Sequence, residues 1–161
     1  MYLESFSKEI SFPCKRVLLS LDLDIPISEE NKIEDEIKIK NSLPIIQYLL
    51  DHYTKIIIIS NDKKKGKKSK YPIYKRLKEL LWEYDIYFSN KKIYEIGNTI
   101  SNLEDREILF IDDSFLDNKN DLFKKNSNLV DIIINDISKE VYIYGTDNTE
   151  KKKLKIYHNK E

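Results

Sequence analysis

Polar side chains follow the apolar runs of this sequence at positions where α/β enzymes keep their chemistry. The residues in question are Asp22, Asp24, Ser60, Asp112 and Asp113. If the runs are parallel strands, their carboxyl ends meet at one edge of a sheet, which is where ligands bind. Carboxylate oxygens suit Mg²⁺, and one aspartate can attack phosphorus while a second one moves the proton. Phosphoryl chemistry is therefore one hypothesis for this edge.

The elements that would position these side chains are short apolar runs alternating with longer amphipathic segments. Continuous runs rich in branched residues predict strands at 16–23, 55–60, 107–112 and 131–136, with shorter candidates at 84–88 and 141–145. Apolar residues at three- or four-residue steps predict helices at 34–53, with a kink or break at Pro44, and at 71–84 and 120–129. This order predicts an α/β fold with a mainly parallel sheet and helices on both faces. We expect one domain over residues 1–146 and a polar tail over 147–161, either disordered or forming an edge strand.

Composition narrows the function classes. The 28 basic residues balance 28 acidic ones, so no net charge recruits nucleic acid or acidic lipid. The three glycines are isolated, so no glycine-rich loop cradles a phosphate. The single cysteine, Cys14, leaves no multi-cysteine metal site. No apolar run has the length of a membrane span, and the first residues carry no targeting signal. We therefore expect a cytoplasmic protein with no membrane contact and no cofactor.

One family resemblance rests on three short motifs. The sequences "DLD", "ISN" and "IDD" resemble, in this order, the motifs of the haloacid dehalogenase phosphatases. The lysine of that family would be Lys91 or Lys92. The resemblance implies a nucleophile, an acid/base and a magnesium ligand, carried by Asp22, by Asp24 and by Asp112 or Asp113.

A second resemblance covers most of the chain. The sequences "KRVLLSLDLDIP", "KIED", "LPIIQYLLDHYTKIIIIS", "KYPIYKRLKELL", "EILFIDDSF" and "LVDIIINDI" resemble successive segments of phosphoglycerate kinase. The likeness runs from Lys15 to Ile137 without large gaps, and it accounts for Pro26, Lys32 and Asp35, which the phosphatase motifs leave unexplained. It implies the N-terminal domain of that family, a Rossmann-like three-layer sandwich that binds 3-phosphoglycerate on a basic patch.

The sequence departs from the basic patch of phosphoglycerate kinase. Where the family has arginines, this chain has Ser20, Lys38, Lys64 and Phe115. Where the family has an asparagine and a histidine, it has Asp24 and Asn61. A guanidinium holds phosphate through two parallel bonds that a lysine cannot make. Three lost contacts of about 1.5–3 kcal/mol each weaken binding by at least about 1,000-fold. The glycine-rich nucleotide-binding domain of the family has no counterpart in these residues either.

We therefore predict a catalytically inactive phosphoglycerate kinase-like domain that serves as a binding or structural subunit of a larger assembly. Under this prediction Asp22 and Asp24 are solvated, and Asp112 and Asp113 cap the segment that follows them. Two alternatives stay open, namely the phosphatase and a kinase-related role in glycolysis that keeps a weak anion site. The residues that would form such a site are Asp22, Asp24, Lys38, Asn61 and Lys64.

An aromatic group follows the second predicted helix. Its side chains are Trp82, Tyr84, Tyr87 and Phe88. They form either a recognition patch or the packing between a helix and a strand, and we predict the packing.

The last quarter of the sequence is our predicted protein interface. Tyr142 and Tyr144 share one side of a strand, and Tyr157 follows in the tail. The lysine run at 63–70 predicts a surface loop. Contact of this loop with RNA inside an assembly is an alternative that we do not favour, because the chain is neutral.

Overall fold

A computed structural model describes residues 1–60, 68–91, 95–112, 129–144 and 151–154, with the backbone alone for 144 and 151–154. The strands are β1 (Arg16–Leu21), β2 (Lys55–Ser60), β3 (Ile86–Ser89), β4 (Ile108–Ile111), β5 (Ile132–Asn135), β6 (Glu140–Tyr144) and β7 (Lys151–Leu154). The helices are α1 (Ile37–Asp51), α2 (Tyr71–Leu80) and α3 (Gly97–Ser101), preceded by a 3₁₀ helix at Tyr2–Phe6.

The strands described form one seven-stranded sheet in the order β3-β4-β2-β1-β5-β6-β7. The first five strands of the chain pair in parallel, whereas β6 and β7 are antiparallel at one edge. This confirms the predicted α/β fold with a mainly parallel sheet.

The sheet carries apolar layers on both faces. Val17, Leu19 and Leu21 of β1 belong to a cluster that packs against α1, α2 and the N-terminal segment. Leu18 belongs to a second cluster, which includes Ile100 of α3. Because successive strand residues point to opposite faces, a continuous apolar run is what a strand covered on both sides requires.

Helix α1 runs through Pro44 as one element, so of the predicted kink or break at this proline the break is wrong. A proline inside a helix removes one hydrogen bond and costs about 3 kcal/mol. Residues on both sides of it, Ile39, Ile46 and Leu50, are fully buried in the first cluster. Burial of an apolar side chain contributes about 1.5–3 kcal/mol, so packing of both halves outweighs the lost bond.

The N-terminal segment is part of the core, although its sequence pattern predicts no element. The residues that it buries in the first cluster are Leu3, Phe6, Ile10 and Phe12. The Tyr2 hydroxyl donates a hydrogen bond of 2.7 Å to Asp136, which follows β5. Burial and the neighbouring Asp136 carboxylate raise the pKa of Tyr2 far above its usual range. This contact ties the first residues of the chain to the end of β5.

The aromatic group after α2 is only partly in the core. Tyr84 and Phe88 are half-buried and pack against the first cluster. Trp82 is 77% exposed and Tyr87 is 45% exposed, so the prediction that they pack in the core is wrong. Helix α2 ends at Leu80, and Trp82 lies in the turn that follows, outside the periodicity of the buried helix face.

At the C-terminal edge, the backbone of β7 pairs with β6, so part of the predicted tail lies in the sheet. The helix predicted at 120–129 falls outside the described residues except for Leu129. No helix in the described ranges is both long and apolar enough to cross a membrane.

Candidate functional site

The carboxyl ends of β1, β2 and β4 lie next to one another, because β2 pairs in parallel with both of the other strands. This topology brings Asp22, Ser60 and Asp112 to one edge of the sheet, as predicted from their positions at strand ends. The Ser60 residue is fully buried. Outside the described residues lie Asn61, Lys64, Lys92, Asp113 and Phe115.

An exposed ion pair lies at the end of β1. Lys38 Nζ is 3.1 Å from Asp22 Oδ1, and the two side chains are 40% and 47% exposed. The same carboxylate oxygen accepts a hydrogen bond of 3.2 Å from the backbone N–H of Asp24, whose side chain is exposed. The described contacts therefore pair the ammonium group of Lys38 with one carboxylate, that of Asp22. A pair this exposed stabilises the fold by less than about 1 kcal/mol. Its main effect is that the Asp22 carboxylate neutralises the positive charge of Lys38.

Asp112 binds the start of helix α2. The residue is 3% exposed, and its Oδ2 accepts hydrogen bonds from Ser69 Oγ at 2.8 Å and from the backbone N–H of Lys70 at 3.2 Å. A carboxylate in this position satisfies a free amide and faces the positive end of the helix dipole. These partners belong to an earlier element of the chain, and the predicted capping of the segment after β4 stays a prediction, because that segment lies outside the described residues.

Ser20 occupies the strand position where the phosphoglycerate kinase resemblance places an arginine. The residue is fully buried in β1, and its Oγ has no hydrogen-bond partner in the part of the chain that the structure describes. A neutral hydroxyl inside the strand contributes no charge to the edge of the sheet. Within that same part of the chain, no three His, Cys, Asp or Glu side chains form a group that could hold a metal ion.

A second cation, Arg76 of α2, is also bound to carboxylates. Its Nε donates to Glu36 at 2.7 Å, and its Nη1 donates to Glu79 at 2.9 Å. These hydrogen bonds raise the pKa of Arg76 above its usual value. The three side chains line a cleft of about 380 Å³ that also contains Lys32 and Lys75. The sequence does not predict the pair with Glu36, because the two residues are 40 positions apart.

The predicted interface residues are only partly described. Tyr142 is half-buried, packs against the second cluster and donates a hydrogen bond from its hydroxyl to Glu140. Tyr144 belongs to β6, but its side chain is outside the description, as is the whole of Tyr157. The interface at these tyrosines stays a prediction.

Comparison with known proteins identifies relatives of this chain. The family model described as phosphoglycerate kinase matches residues 7–138. A phosphoglycerate kinase of Helicobacter pylori is 32% identical over 154 residues, which cover 86% of this chain and 38% of that protein. The cytosolic phosphoglycerate kinase of Nicotiana tabacum is 29% identical over 139 residues, covering 80% of this chain and 34% of that protein.

Solved structures agree on the fold. The phosphoglycerate kinase of Pyrococcus horikoshii OT3 superimposes with a TM-score of 0.66 at 24% identity, over 81% of this chain and 36% of that one. The enzyme from Coxiella burnetii superimposes with a TM-score of 0.60 at 20% identity, over 81% of this chain and 34% of that one. The chain thus spans little more than a third of the length of these relatives and corresponds to their N-terminal part. From the extent of the family match, we conclude that the chain belongs to the phosphoglycerate kinase family.

Proposed function

We propose that this chain is a non-catalytic domain of the phosphoglycerate kinase family that serves as a binding or structural subunit of a cytoplasmic assembly. The observation that carries the proposal is the state of Lys38. Its ammonium group is 3.1 Å from the Asp22 carboxylate, and Asp24 adds a second negative charge two residues further along the chain. The cytoplasmic placement has the support of one relative, which is described as cytosolic.

The charges along the strand ends oppose the binding of a phosphate. An arriving phosphate must compete with Asp22 for Lys38 and approach two carboxylates while it does so. Two unit charges 4 Å apart interact with about 1 kcal/mol in water, and because these side chains are exposed, each nearby carboxylate opposes the phosphate by at most about that amount. The uncharged Ser20 offers no compensation, and Arg76 is already bound to two glutamates.

The phosphatase alternative has less support from the same edge. It needs Asp112 or Asp113 as a magnesium ligand; Asp113 lies outside the described residues, and the Asp112 carboxylate is buried and bound to Ser69 and Lys70. Turning Asp112 toward a cation would leave the first amides of α2 without this acceptor, which costs about 1–3 kcal/mol.

Enzyme assays test the proposal directly. We expect no ADP formation from ATP and 3-phosphoglycerate, and no Mg²⁺-dependent hydrolysis of p-nitrophenyl phosphate, above the rate of an Asp22→Asn variant. That variant is the matched control because it removes the nucleophile of a phosphatase while leaving the buried core unchanged. Turnover that requires the Asp22 carboxylate would overturn the non-catalytic proposal.

A further inference from the structure

Strand β3 is one edge of the sheet, because β4 is its only neighbour among the described strands. Its four residues, Ile86–Ser89, include no charged side chain and no proline. Charges and prolines are common means by which edge strands avoid further pairing. The strand at the opposite edge, β7, contains three lysines. The two edges therefore differ, and β3 is the one that retains the features of a template for an added strand.

Alternate residues of β3 direct their backbone groups away from β4. In the parallel ladder, amides of β4 and of the residue after it donate to the carbonyls of Asp85 and Ser89. The residues that bond to a neighbouring strand alternate with residues that do not. The N–H and C=O groups of Ile86 and Phe88 therefore point to the outer edge of β3.

The two outward residues differ in their access to a partner. Ile86 is 4% exposed, and its carbonyl accepts a hydrogen bond of 3.2 Å from the Tyr74 hydroxyl. Phe88 is half-buried, and in the described part of the chain its N–H and C=O have no partner outside the ladder. Pairing with an added extended segment would therefore centre on Phe88.

Aromatic rings border β3 on the face that α2 covers. Tyr71, Tyr74, Trp82 and Phe88 line a cavity of about 520 Å³, which we call the aromatic groove. The rings of Tyr71 and Tyr74 lie 5.2 and 5.1 Å from the ring of Phe88. Lys78 also lines this cavity, and its positive charge disfavours a second cation there. Side chains of an added strand that point to this face should therefore be apolar.

Carboxylates border β3 on the opposite face. The side chain of Tyr87 lies on this face, and its hydroxyl donates a hydrogen bond of 2.7 Å to Glu107. This bond, burial and the nearby carboxylates of Asp85 and Glu104 raise the pKa of Tyr87 to about 12. None of the three carboxylates forms an ion pair with a described residue. Side chains of an added strand that point to this face should therefore be basic.

A second copy of β3 does not have this chemistry. A two-fold symmetric, antiparallel pairing of two β3 edges would place both sets of carboxylates on the same face of the joined sheet. Like charges there oppose one another. The charges of the edge therefore favour a different protein as the partner.

From these observations we propose that the outer edge of β3 binds an extended segment of another protein in which apolar and basic side chains alternate. The apolar side chains contact the aromatic groove, and the basic ones lie beside Asp85, Glu104 and Glu107. The proposal goes beyond the non-catalytic function and does not depend on it, since β3 can bind this segment whether or not the strand ends bind phosphate.

Fluorescence anisotropy with labelled peptides tests the chemistry of the partner. A peptide of alternating lysine and valine should bind saturably, with a dissociation constant below about 1 mM. A peptide of alternating glutamate and valine should bind at least about tenfold more weakly. Hydrogen exchange of the Phe88 amide should slow when the lysine peptide is bound. No saturable binding, equal binding of the two peptides, or unchanged exchange at Phe88 would overturn the proposal.

Methylation of the peptide backbone tests the strand pairing. In an extended peptide, the amides of alternate residues point to opposite edges. Methylation of all valine amides, or of all lysine amides, therefore blocks the edge that faces β3 in only one of the two cases. One methylated peptide should bind at least about tenfold more weakly, and the other should bind within about threefold of the parent. Equal effects of the two methylations would refute the pairing.

Charge reversal on the protein tests the placement of the basic side chains. Asp85→Lys should weaken binding of the lysine peptide by about tenfold and strengthen binding of the glutamate peptide. Glu9→Lys makes the same change of charge at an exposed residue of the N-terminal segment and is the matched control. An equal loss in both variants would refute the placement, because it would show attraction by the net charge alone. A circular dichroism spectrum of each variant checks that it is folded.

Discussion

Replacement of Asp112 by alanine should destabilise the fold through the start of helix α2. The buried carboxylate accepts hydrogen bonds from Ser69 Oγ and from the Lys70 amide, at 2.8 and 3.2 Å. A hydrogen bond to a charged group contributes about 1.5–3 kcal/mol, and the relief of one buried charge offsets part of the sum. We expect Asp112→Ala to lower the free energy of unfolding by about 2–3 kcal/mol. For a domain of this size this corresponds to a fall in Tm of roughly 5–10 °C.

Further variants distinguish the loss of the Asp112 hydrogen bonds at the start of α2 from other effects of the substitution. Asp112→Asn keeps an oxygen acceptor and should cost only about 1 kcal/mol, because the charge is lost but the hydrogen bonds can form. Combined with Ser69→Ala, the alanine variant should show a coupling energy of about 1 kcal/mol. Glu29→Ala, at an exposed residue, is the control and should change stability by less than about 0.5 kcal/mol.

The assay is urea unfolding followed by circular dichroism, with the midpoint and the slope fitted separately. A loss below about 0.5 kcal/mol for Asp112→Ala would refute the capping role. Equal losses for the alanine and asparagine variants would show that the charge, rather than the hydrogen bonds, carries the effect.

Three further predictions concern stability and use the same urea assay. Tyr2→Phe removes the hydrogen bond of 2.7 Å to Asp136 and should cost about 1.5 kcal/mol, and no loss would show that the bond is dispensable. Ser20→Ala removes a buried hydroxyl that lacks a described partner, so stability should stay unchanged or rise by up to about 1 kcal/mol, whereas a clear loss would contradict this reading. Burial raises the pKa of Asp131, but hydrogen bonds from Arg16 outweigh it and the pKa is lowered overall. The ionised Asp131 therefore stabilises the fold fully above the unfolded-state pKa near 4, and this stabilisation is lost as the pH falls further. In the Asp131→Asn variant, the free energy of unfolding should decrease less steeply with falling pH.

The parallel strands could be predicted from the sequence because each of them is a local pattern. The run from Val17 to Leu21 and the run from Ile56 to Ile59 contain almost only apolar residues, and a strand buried on both faces needs such a run. The position of helix α1 could be predicted, but not that it continues through Pro44. Proline disfavours a helix locally, whereas the buried residues on both sides of it stabilise one.

The local chemistry of the site could not be predicted, because its decisive contacts join distant residues. Asp22 and Lys38 are 16 positions apart, and Ser69 and Asp112 are 43 positions apart. The sequence indicates that Asp22 and Asp112 lie at strand ends, but the choice of their partners depends on side-chain positions in three dimensions. Trp82 shows the same limit, since its exposure depends on the end of α2 at Leu80.

The most direct test of the central claim is a calorimetric titration of the purified chain with 3-phosphoglycerate. If the Asp22 carboxylate neutralises Lys38 at the end of β1, no saturable binding should be seen up to about 10 mM ligand. A saturable isotherm with a dissociation constant of about 1 mM or below, abolished by Lys38→Met, would contradict the claim.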